Sequence, residues 1–414
     1  MTFPSVRLAL FGLMIFVMAV VQACSLTPYE HGSIDSVPIV QRAERQQQGA
    51  FTVRASVPSE EEAKQIFGIP LYRRGIQPVW LEITNNSTTR ARFVVSSVDR
   101  EYFSPLEVAY MHKKYFSKQG WMDMEEFLYA NTMPRMISAG STESGFVFTH
   151  ASRGTKSFNV EIFHTQATDR YEEFTFFVEV PGFVPDHAEV DFAGLYPPDD
   201  VNNVSHDKYN ETLKALPCCT TNREGDGLGL PANVVLVGKG KMILRALLRA
   251  GWSENSYERN DIYLNNSNYY FGRPPDATFK KSRGNTTERN ELSLWLAPIR
   301  IDGELVWIGQ IKHAIGRRFE IGEAFFGTAL DPDVDDGRNF LLQNLWYSHS
   351  LLAFALSDTG VEVPPSQPVM DFNNNPFFTS GVRIVMWISG EPVALNDVRN
   401  LDWNQETNMA GDRQ

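Results

Sequence analysis

One long hairpin pattern constrains the fold of this chain more than any other feature. The stretch ELSLWLAPIRIDGELVWIGQIKHAI, residues 291–315, places two runs rich in β-branched and aromatic residues on either side of Asp302-Gly303. An Asp-Gly step between two such runs is the strongest short-range signal for a β-hairpin. The sequence therefore predicts two long antiparallel strands and a domain built around their sheet.

Strand and helix patterns surround this hairpin. NVVLVG, residues 233–238, is typical of a buried strand, and apolar residues at helical spacing follow between Met242 and Leu248. The intervening Gly-Lys-Gly turn lacks the spacing of a nucleotide-binding phosphate loop. GVRIVMWIS, residues 381–389, predicts another strand. We expect an α+β domain over residues 232–400.

The preceding part of the chain, residues 51–192, shows mostly strand patterns. Alternating stretches such as PVWLEITNNS, SGFVFTH and FTFFVEVPG are separated by short turns, which predicts an immunoglobulin-like β-sandwich. A segment with helical spacing, PLEVAYMHKKYF to MDMEEFLYANTM, interrupts them and predicts a helical insertion. We expect its aromatic residues to pack in the core, with a binding face as the alternative. These residues are Tyr102, Phe103, Tyr110, Tyr115, Phe116 and Trp121. Residues 193–231, rich in Asn, Asp, Gly and Pro, are predicted to be a linker.

The first 24 residues carry a secretory signal pattern. Arg7 precedes an apolar run, Leu8 to Val21, which is shorter than the roughly 20 residues needed to cross a bilayer and predicts a signal peptide over residues 1–23. Val21-Gln22-Ala23 before Cys24 resembles a bacterial lipobox, from which Gln22 departs. Lipidation (palmitate) at Cys24 is the favoured interpretation. Cleavage after Ala23 without lipidation and an uncleaved anchor are the alternatives.

All three alternatives place the protein outside the cytoplasm. Ser25 resembles the residue usual for sorting to the outer membrane, so we expect a periplasm-facing protein held to that membrane through Cys24. The polar residues 24–50 are predicted to form a tether, and residues 401–414 a polar tail. The expected partners are the membrane and an envelope protein. A net charge of −12 without a sustained basic run argues against nucleic acid.

Beyond Cys24, the chain has only Cys218 and Cys219. Two residues are too few for a disulfide framework, and adjacent cysteines lack the spacing of a zinc knuckle or a thioredoxin-type motif. A bond between neighbours requires a strained ring. We interpret the pair as two small residues in a turn after Pro217, and the sequence leaves their redox state open.

Five stretches of the second half, in order, carry a family resemblance. NVVLVG, LLRAGW, YYFGRPPDATFKK, LSLWLAPIRIDGELVWIGQIKHAIG and LDPDVDDGRNFLLQNL resemble the family named after the C-terminal domain of LssY, a protein encoded with a type I secretion system. The resemblance spans roughly residues 232–347 and implies a domain without an established reaction. In some relatives this domain accompanies a membrane phosphatase-like or small-transporter-like domain.

The chain departs from the family at polar positions. The resemblance implies a Thr-His pair before the Asp-Pro-Asp segment, where this chain has Gly327-Thr328-Ala329. It also implies His and Arg before the hairpin tryptophan, whereas Asn290, Glu291 and Ser293 lead to Trp295. A site that relatives build from these polar residues is therefore expected to be lost here. The segment IFGIPLYRRGIQPVWLEI with YFSPLEVAYMHKK also resembles the front domain of uncharacterised envelope proteins.

An acidic cluster is the most conspicuous polar feature of the second half. Its members are Asp331, Asp333, Asp335 and Asp336. A calcium loop beginning at Asp331 would need Gly at position six and Glu at position twelve, where the chain has Asp336 and Leu342. We favour the start of a helix, capped by Asp333 or Asp335 after Pro332, over a metal site or a catalytic pair.

The sequence offers few other candidate functional residues. The eight histidines show no close metal-ligand spacing, and no nucleophile elbow occurs, so we expect no catalytic residue, metal or cofactor. Candidates for an anion or ligand site are Arg273, Lys312 and His313. They belong to a basic set that also includes Lys280, Lys281, Arg283, Arg317 and Arg318.

These patterns favour a non-catalytic envelope lipoprotein that serves binding or scaffolding at the membrane, with a link to secretion or envelope maintenance. The alternative is a hydrolase of envelope lipid or phosphate esters. That alternative requires Lys312 and His313 to converge with Asp331 or Asp333 in one pocket.

Overall fold

The structure, a computed structural model, describes residues 27–164, 171–256, 268–282, 288–319 and 326–401, with backbone alone at 317–319 and 326–328. The chain divides into two units. The first comprises Met1–Ser152 with Phe158–Gly182, and the second comprises Arg153–Ser157 with Phe183–Gln414. Strands predominate over helices in a mixed α+β architecture, which confirms the predicted fold class at that level.

The first unit contains two four-stranded sheets, with strand orders β1-β2-β3-β6 and β5-β4-β7-β8. The strands are β1 (Glu44–Gln48), β2 (Phe51–Ser56), β3 (Ile76–Asn85), β4 (Ala91–Val94), β5 (Met136–Ile137), β6 (Thr142–His150), β7 (Thr155–His164) and β8 (Tyr171–Glu179).

Alternating side chains of both sheets form one core between them. Val53 of β2, Phe93 of β4, Val160 of β7 and Phe176 of β8 are all buried in the same cluster. Face-to-face burial with a period of two residues is the packing expected of a sandwich. The immunoglobulin-like form of that sandwich remains a prediction.

Helices cover the other face of the first sheet. They are α1 (Glu60–Phe67), α3 (Pro105–His112) and α4 (Lys118–Ala130), with 3-10 turns at Ile34–Ser36, Leu71–Arg74 and Lys113–Tyr115. Trp80 of β3 and Phe148 of β6 pack there against Val108 and Leu128. Strand β3 is thus buried on both faces. The short helix α2 (Val95–Val98) follows β4, and its Val98 is buried in the core between the two sheets. The predicted helical insertion lies where expected, in α3 and α4.

The N-terminal residues differ from the predicted tether. Tyr29, Val37 and Ile39 are buried in the helical core, and Glu44–Gln48 pairs with β2 as an edge strand. A polar sequence suits an edge strand because only its backbone must pair while its side chains face water. The described residues of the predicted tether, from Thr27 to Ala50, are therefore part of the first unit.

The second unit is built on a ten-stranded sheet. Its order is β13-β14-β15-β16-β12-β21-β18-β22, with β9 beside β15 and β17 beside β16. The strands of this unit are β9 (Asn202–Val204), β10 (Cys219–Thr221), β11 (Leu228–Pro231), β12 (Val234–Val237), β13 (Ser253–Glu254), β14 (Ala277–Ser282), β15 (Arg289–Ile301), β16 (Glu304–Phe319), β17 (Phe326–Leu330), β18 (Leu351–Asp358), β19 (Val369–Met370), β20 (Pro376–Phe377), β21 (Val382–Ile388) and β22 (Arg399–Leu401).

The predicted hairpin is confirmed in β15 and β16. Ile301 pairs with Glu304, and the two turn residues, Asp302 and Gly303, have φ angles of 48° and 84°. A two-residue turn with both φ angles positive matches the right-handed twist of its strands, and Asp-Gly adopts it readily. Strand β12 pairs with β16 on one side and with β21 on the other.

Helices of the second unit lie on both faces of this sheet. They are α5 (Tyr209–Lys214), α6 (Gly240–Arg249) and α7 (Val334–Tyr347), with 3-10 turns at Asp186–Glu189, Pro198–Asp200 and Leu395–Asp397. Leu247 of α6 and Leu341 of α7 pack on one face, together with Ile311 of β16. Leu213 of α5 and Trp295 of β15 are buried on the other face.

The stretch predicted as a linker, residues 193–231, contributes several of these elements. It contains β9, which pairs with β15, as well as α5, β10 and β11. Its loop-like composition reflects short elements joined by turns. Within the described residues, no helix combines the length and apolar character needed to cross a bilayer.

Candidate functional site

The acidic cluster lies between the end of β17 and the start of α7. Asp333 is the N-cap of α7, and its Oδ1 accepts a hydrogen bond from the Asp335 backbone N at 3.1 Å. Asp331 Oδ1 accepts in turn from the Asp333 backbone N at 3.0 Å. Carboxylates here satisfy free N–H groups and lie at the positive end of the helix dipole. The structure thus agrees with the interpretation of this segment as a helix start.

Asp335 fastens the first turn of α7 to the segment before β21. Its carboxylate accepts from Thr379 Oγ1 and from the Ser380 backbone N, both at 2.8 Å, and lies 3.2 Å from Arg338 Nη1. Burial lowers the pKa of Arg338, against the opposing effect of Asp335. Asn233 completes the attachment by donating to Val334 O at 2.9 Å. The first turn of α7 is therefore held by long-range contacts.

Two members of the cluster approach His313 of β16. The Asp331 backbone N donates to His313 O at 2.8 Å, and Asp331 Oδ2 lies 3.7 Å from His313 Nδ1. Potential ligand atoms of His313, Asp331 and Asp336 all lie within 4.8 Å of one another. The structure therefore brings together three of the residues singled out in the sequence.

The group has the donor chemistry of a divalent-cation site but few donors. Calcium takes about six to eight oxygen ligands, and zinc about four ligands, so water would complete most of the coordination shell. Asp336 is exposed, and the carboxylates of Asp333 and Asp335 already accept hydrogen bonds. The positive end of α7 also opposes a cation. The arrangement suits a capped helix better than a metal centre.

Lys312 lies on the opposite face of the sheet from His313, because side chains alternate along a strand. Its Nζ is 3.1 Å from Glu291 Oε2, and Arg289 binds the other oxygen of the same carboxylate at 2.5 Å. Burial would raise the pKa of Glu291, but Lys312 and Arg289 lower it below its usual range. The pocket in which Lys312 and His313 would converge is not formed.

Arg273 has partners both in its own turn and in distant parts of the chain. Its Nε and Nη2 donate to the two oxygens of Asp276 at 2.9 and 2.8 Å, and Nη2 also donates to Leu296 O at 2.7 Å. Tyr196 Oη accepts from Nη1 at 2.6 Å. Burial alone would lower the pKa of Arg273, but Asp276 and Tyr196 raise it. This arginine is a structural cation.

Lys281, another member of the basic set, has partners of its own. Lys281 extends on the helix-covered face, where it donates to Ala250 O and lies 5.9 Å from the ring of Phe340. Burial lowers its pKa. Arg283 lies outside the described residues, as do the side chains of Arg317 and Arg318. The described part of the basic set thus forms several separate contacts.

One stretch of the second unit matches a known protein family. Residues 266–381 match the model of the family described as LssY C-terminus. This stretch of the chain is similar to an LssY C-terminal domain. The match begins and ends later than the resemblance over residues 232–347, and it includes Arg273, Lys312, His313 and the acidic cluster. No curated protein matches the chain.

Within the LssY C-terminal domain, one departure from the family pattern lies beside His313. Asn290, one of the residues found where His and Arg were expected, is directly opposite His313 in the β15–β16 register. Opposite residues of an antiparallel pair share a face of the sheet. Asn290 is buried and cannot titrate. The side chains of Gly327 and Thr328, the other departure, lie outside the described residues.

The second unit also contains a histidine–glutamate pair that the sequence does not predict. His187 Nε2 lies 2.9 Å from Glu254 Oε1, and Glu254 is 2% exposed. Burial would raise the pKa of Glu254, but hydrogen bonds, first that of His187, lower it. The two residues are far apart in the chain, and neither belongs to a motif. No local signal reveals the pair.

The structure also corrects the interpretation of the adjacent cysteines. Cys218 and Cys219 are joined by a disulfide, whereas two small residues in a turn were expected. Arg383 of β21, fully buried, holds this segment by donating to Leu213 O at 2.7 Å and to Pro217 O. Burial lowers the pKa of this arginine. The carbonyls around the cysteines are thereby fixed by a residue far along the chain.

Proposed function

We propose that this protein is a non-catalytic lipoprotein of the bacterial cell envelope that serves binding and scaffolding at the membrane. Its anchor is Cys24, and it faces the periplasm from the outer membrane. The immunoglobulin-like sandwich and the LssY C-terminal domain supply the binding surfaces. A link to secretion or envelope maintenance is part of this proposal, and the resemblance of the second domain to the LssY family supports it.

One observation carries the non-catalytic part of this proposal. The polar residues that the sequence offers as a site are engaged inside the fold: Arg273 by Asp276, Lys312 by Glu291, and Asp335 by Arg338. A general acid or base must reach a substrate proton, directly or through one water. Lys312 and His313 lie on opposite faces of the sheet. The alternative is a hydrolase that uses Lys312, His313 and Asp331 together. It requires these side chains in one pocket, and the structure does not place them there.

The anchor is supported by the leader sequence. Val21-Gln22-Ala23 precedes Cys24, and the apolar run before it has the length of a signal peptide. Cys24 lies outside the described residues. The first residue that the structure describes is Thr27, three residues later.

Fractionation of cells tests the anchor. Wild type is expected in the outer-membrane fraction after washing with ~1 M salt, which removes electrostatically held proteins. Cys24→Ala is expected in the soluble fraction after the same wash. Ser25→Asp is the matched control, since it keeps the cysteine and is expected to move the protein to the inner membrane. A Cys24→Ala protein that resists the wash as well as wild type does would refute the anchor.

Turnover assays test the absence of catalysis. The purified chain is expected to hydrolyse phosphate monoesters and phospholipids no faster than its His313→Ala variant. Circular dichroism spectra of the two proteins establish that both are folded. Hydrolysis by wild type that is lost in His313→Ala would establish the alternative.

A further inference from the structure

The helical insertion of the first unit exposes an aromatic and basic surface that the proposed function does not use. We call it the Tyr110–Lys118 groove. It has a volume of about 660 Å³. Tyr110 is 68% exposed, and Tyr115, beside it, is 50% exposed. The groove is lined by Tyr110, Met111, Lys113, Lys114, Phe116, Ser117, Lys118 and Trp121.

The packing of α3 and α4 against the core of the first unit explains why the side chains of the groove face outward. Val108 and Ala109 of α3 and Met124 and Leu128 of α4 are the buried positions of the two helices. Tyr110 projects from the other side of α3, next to the 3-10 turn Lys113–Tyr115. The sequence prediction of core packing holds for Phe116 and Trp121, which pack partly against the core. It does not hold for Tyr110 and Tyr115.

The lysines of the groove lie over aromatic rings. Lys113 Nζ is 4.2 Å from the ring centroid of Trp121 and 5.8 Å from that of Tyr110. Lys114 Nζ is 5.0 Å from the ring of Tyr115. Such contacts orient an ammonium group while leaving it hydrated. The lysine ammonium groups and the aromatic rings of the groove thus form a single surface.

The local charge of the groove is opposite to that of the whole chain. Its lining includes three lysines and no carboxylate, in a protein with a net charge of −12. The nearby acids have other partners, since Glu107 caps α3 and Asp123 accepts from Gln119. A hydrogen bond from Lys114, with a further effect of Arg74, lowers the pKa of Tyr115. The groove therefore attracts anions.

The chain segment that follows Cys24 is fixed at the edge of this groove. Thr27 pairs with Phe116: the Ser117 backbone N donates to Thr27 O at 3.1 Å, and Thr27 Oγ1 donates to Tyr115 O at 3.1 Å. The ring of Tyr29 packs edge-on against Phe116 at 5.7 Å. Three residues of extended chain span at most about 11 Å. Chain length alone therefore keeps Cys24 within about that distance of Thr27.

We propose that the Tyr110–Lys118 groove docks on an anionic phospholipid bilayer. Tyrosine and tryptophan rings are enriched at the level of the lipid headgroups, and lysines near the surface are attracted to anionic lipids. The lipid attached to Cys24 brings this face to the membrane, so the orientation of the protein rests on the proposed function. A single weak attachment is reversible, and a basic surface supplies a second one.

Vesicle binding tests the docking surface without the lipid anchor. The chain from residue 24 with Cys24→Ala keeps every described residue and is mixed with vesicles of phosphatidylglycerol and phosphatidylethanolamine, or of phosphatidylcholine alone. Sedimentation is expected to show binding to the anionic vesicles only. Lys113→Glu with Lys114→Glu is expected to weaken binding by about tenfold or more. Tyr110→Ser with Tyr115→Ser is also expected to weaken it.

Matched controls lie on the second unit. Lys239→Glu with Lys241→Glu changes the same charge at exposed lysines, and Tyr347→Ser removes a tyrosine that is 74% exposed. Both are expected to bind like the parent chain. Equal loss in groove and control variants, equal binding to phosphatidylcholine, or no binding to anionic vesicles would overturn the proposal. Because no lipidated cysteine is present, these results are independent of the fractionation that tests Cys24.

Discussion

At the scale of single residues, this protein shows two ways of compensating an arginine that is partly or fully removed from water. Arg273 has a carboxylate partner in Asp276 and lies 5.1 Å from the ring of Tyr196. Arg383 donates to backbone carbonyls, those of Leu213, Pro217 and Ala232 among them. A buried cation needs such compensation because its desolvation is costly. Both residues are therefore explained by structure, without a ligand.

Replacing Arg273 with Lys tests its structural role. Lysine keeps the charge but cannot donate from two nitrogens to both oxygens of Asp276, so that buried carboxylate loses part of its compensation. We expect the free energy of unfolding to fall by about 2–4 kcal/mol in Arg273→Lys. Denaturant titration measures it. Arg399→Lys, at an exposed position, is the control and is expected to be neutral. A neutral Arg273→Lys would contradict the structural role.

The pair of His187 and Glu254 predicts a pH dependence. The pKa of Glu254 in the folded protein lies below its ordinary value of 4.5. The ionised carboxylate therefore stabilises the fold fully above that value, and the stabilisation is lost as the pH falls through the lower, folded pKa. We expect Glu254→Gln to cost about 1–3 kcal/mol at neutral pH and progressively less in acid.

Stability measured against pH checks this dependence. The difference between wild type and Glu254→Gln is expected to shrink as the pH falls from 4.5 through the folded pKa, because the carboxylate takes up a proton first in the unfolded chain and then in the folded protein. Glu211→Gln, an exposed glutamate of α5, is expected to show no difference at any pH. A constant difference between wild type and Glu254→Gln across the acid range would show that packing, and not charge, is lost.

At the scale of elements, the start of α7 shows what local sequence can and cannot reveal. Pro332 and the aspartates after it predict a helix start, and Asp333 is the N-cap. The partners of Asp335, at Thr379 and Ser380, belong to a distant part of the chain. Local spacing determines which side chains can cap a helix. Only the tertiary fold determines which of them also bind another segment.

Three aspartate substitutions separate these roles. Asp333→Ala removes a cap and is expected to cost about 1 kcal/mol of unfolding free energy. Asp335→Ala also leaves Arg338 with its charge buried and is expected to cost about 2–4 kcal/mol. Asp336→Ala, at an exposed position, is expected to be neutral. Denaturant titration ranks the three.

Stability measurements with added metal ions test whether the group formed by His313, Asp331 and Asp336 binds a cation. Wild type and Asp336→Ala are expected to keep equal stability when calcium or zinc is added. Stabilisation of wild type by either ion, absent in Asp336→Ala and in His313→Ala, would establish a cation site there.

At the scale of the whole molecule, the sequence predicts the elements better than their arrangement. The hairpin of β15 and β16 and the alternation of β7 and β8 are local patterns, and both are present. The position of β12 between β16 and β21, and the pairing of β9 with β15, depend on contacts distant in sequence. The tether was predicted from polar composition, which does not distinguish an edge strand from an unfolded chain.

The sequence favours core packing over a binding face for the residues of the Tyr110–Lys118 groove, for a related reason. A 3-10 turn, Lys113–Tyr115, separates α3 from α4, so the helical spacing of the aromatic residues cannot be continued across it. Phe116 and Trp121 then face the core while Tyr110 faces solvent. Composition shows that the segment is aromatic, and only the fold shows which rings are exposed.

The anchor and the groove together predict an order of release from membranes. Wild type is expected to remain bound at any salt concentration, whereas Cys24→Ala is expected to remain bound at low salt only, because ~1 M salt shortens the Debye length to about 3 Å. Cys24→Ala combined with Lys113→Glu and Lys114→Glu is expected to be soluble at both. Fractionation of the three proteins at two salt concentrations distinguishes them. If Cys24→Ala alone is already soluble at low salt, the groove does not hold the protein at the membrane, whatever the anchor does.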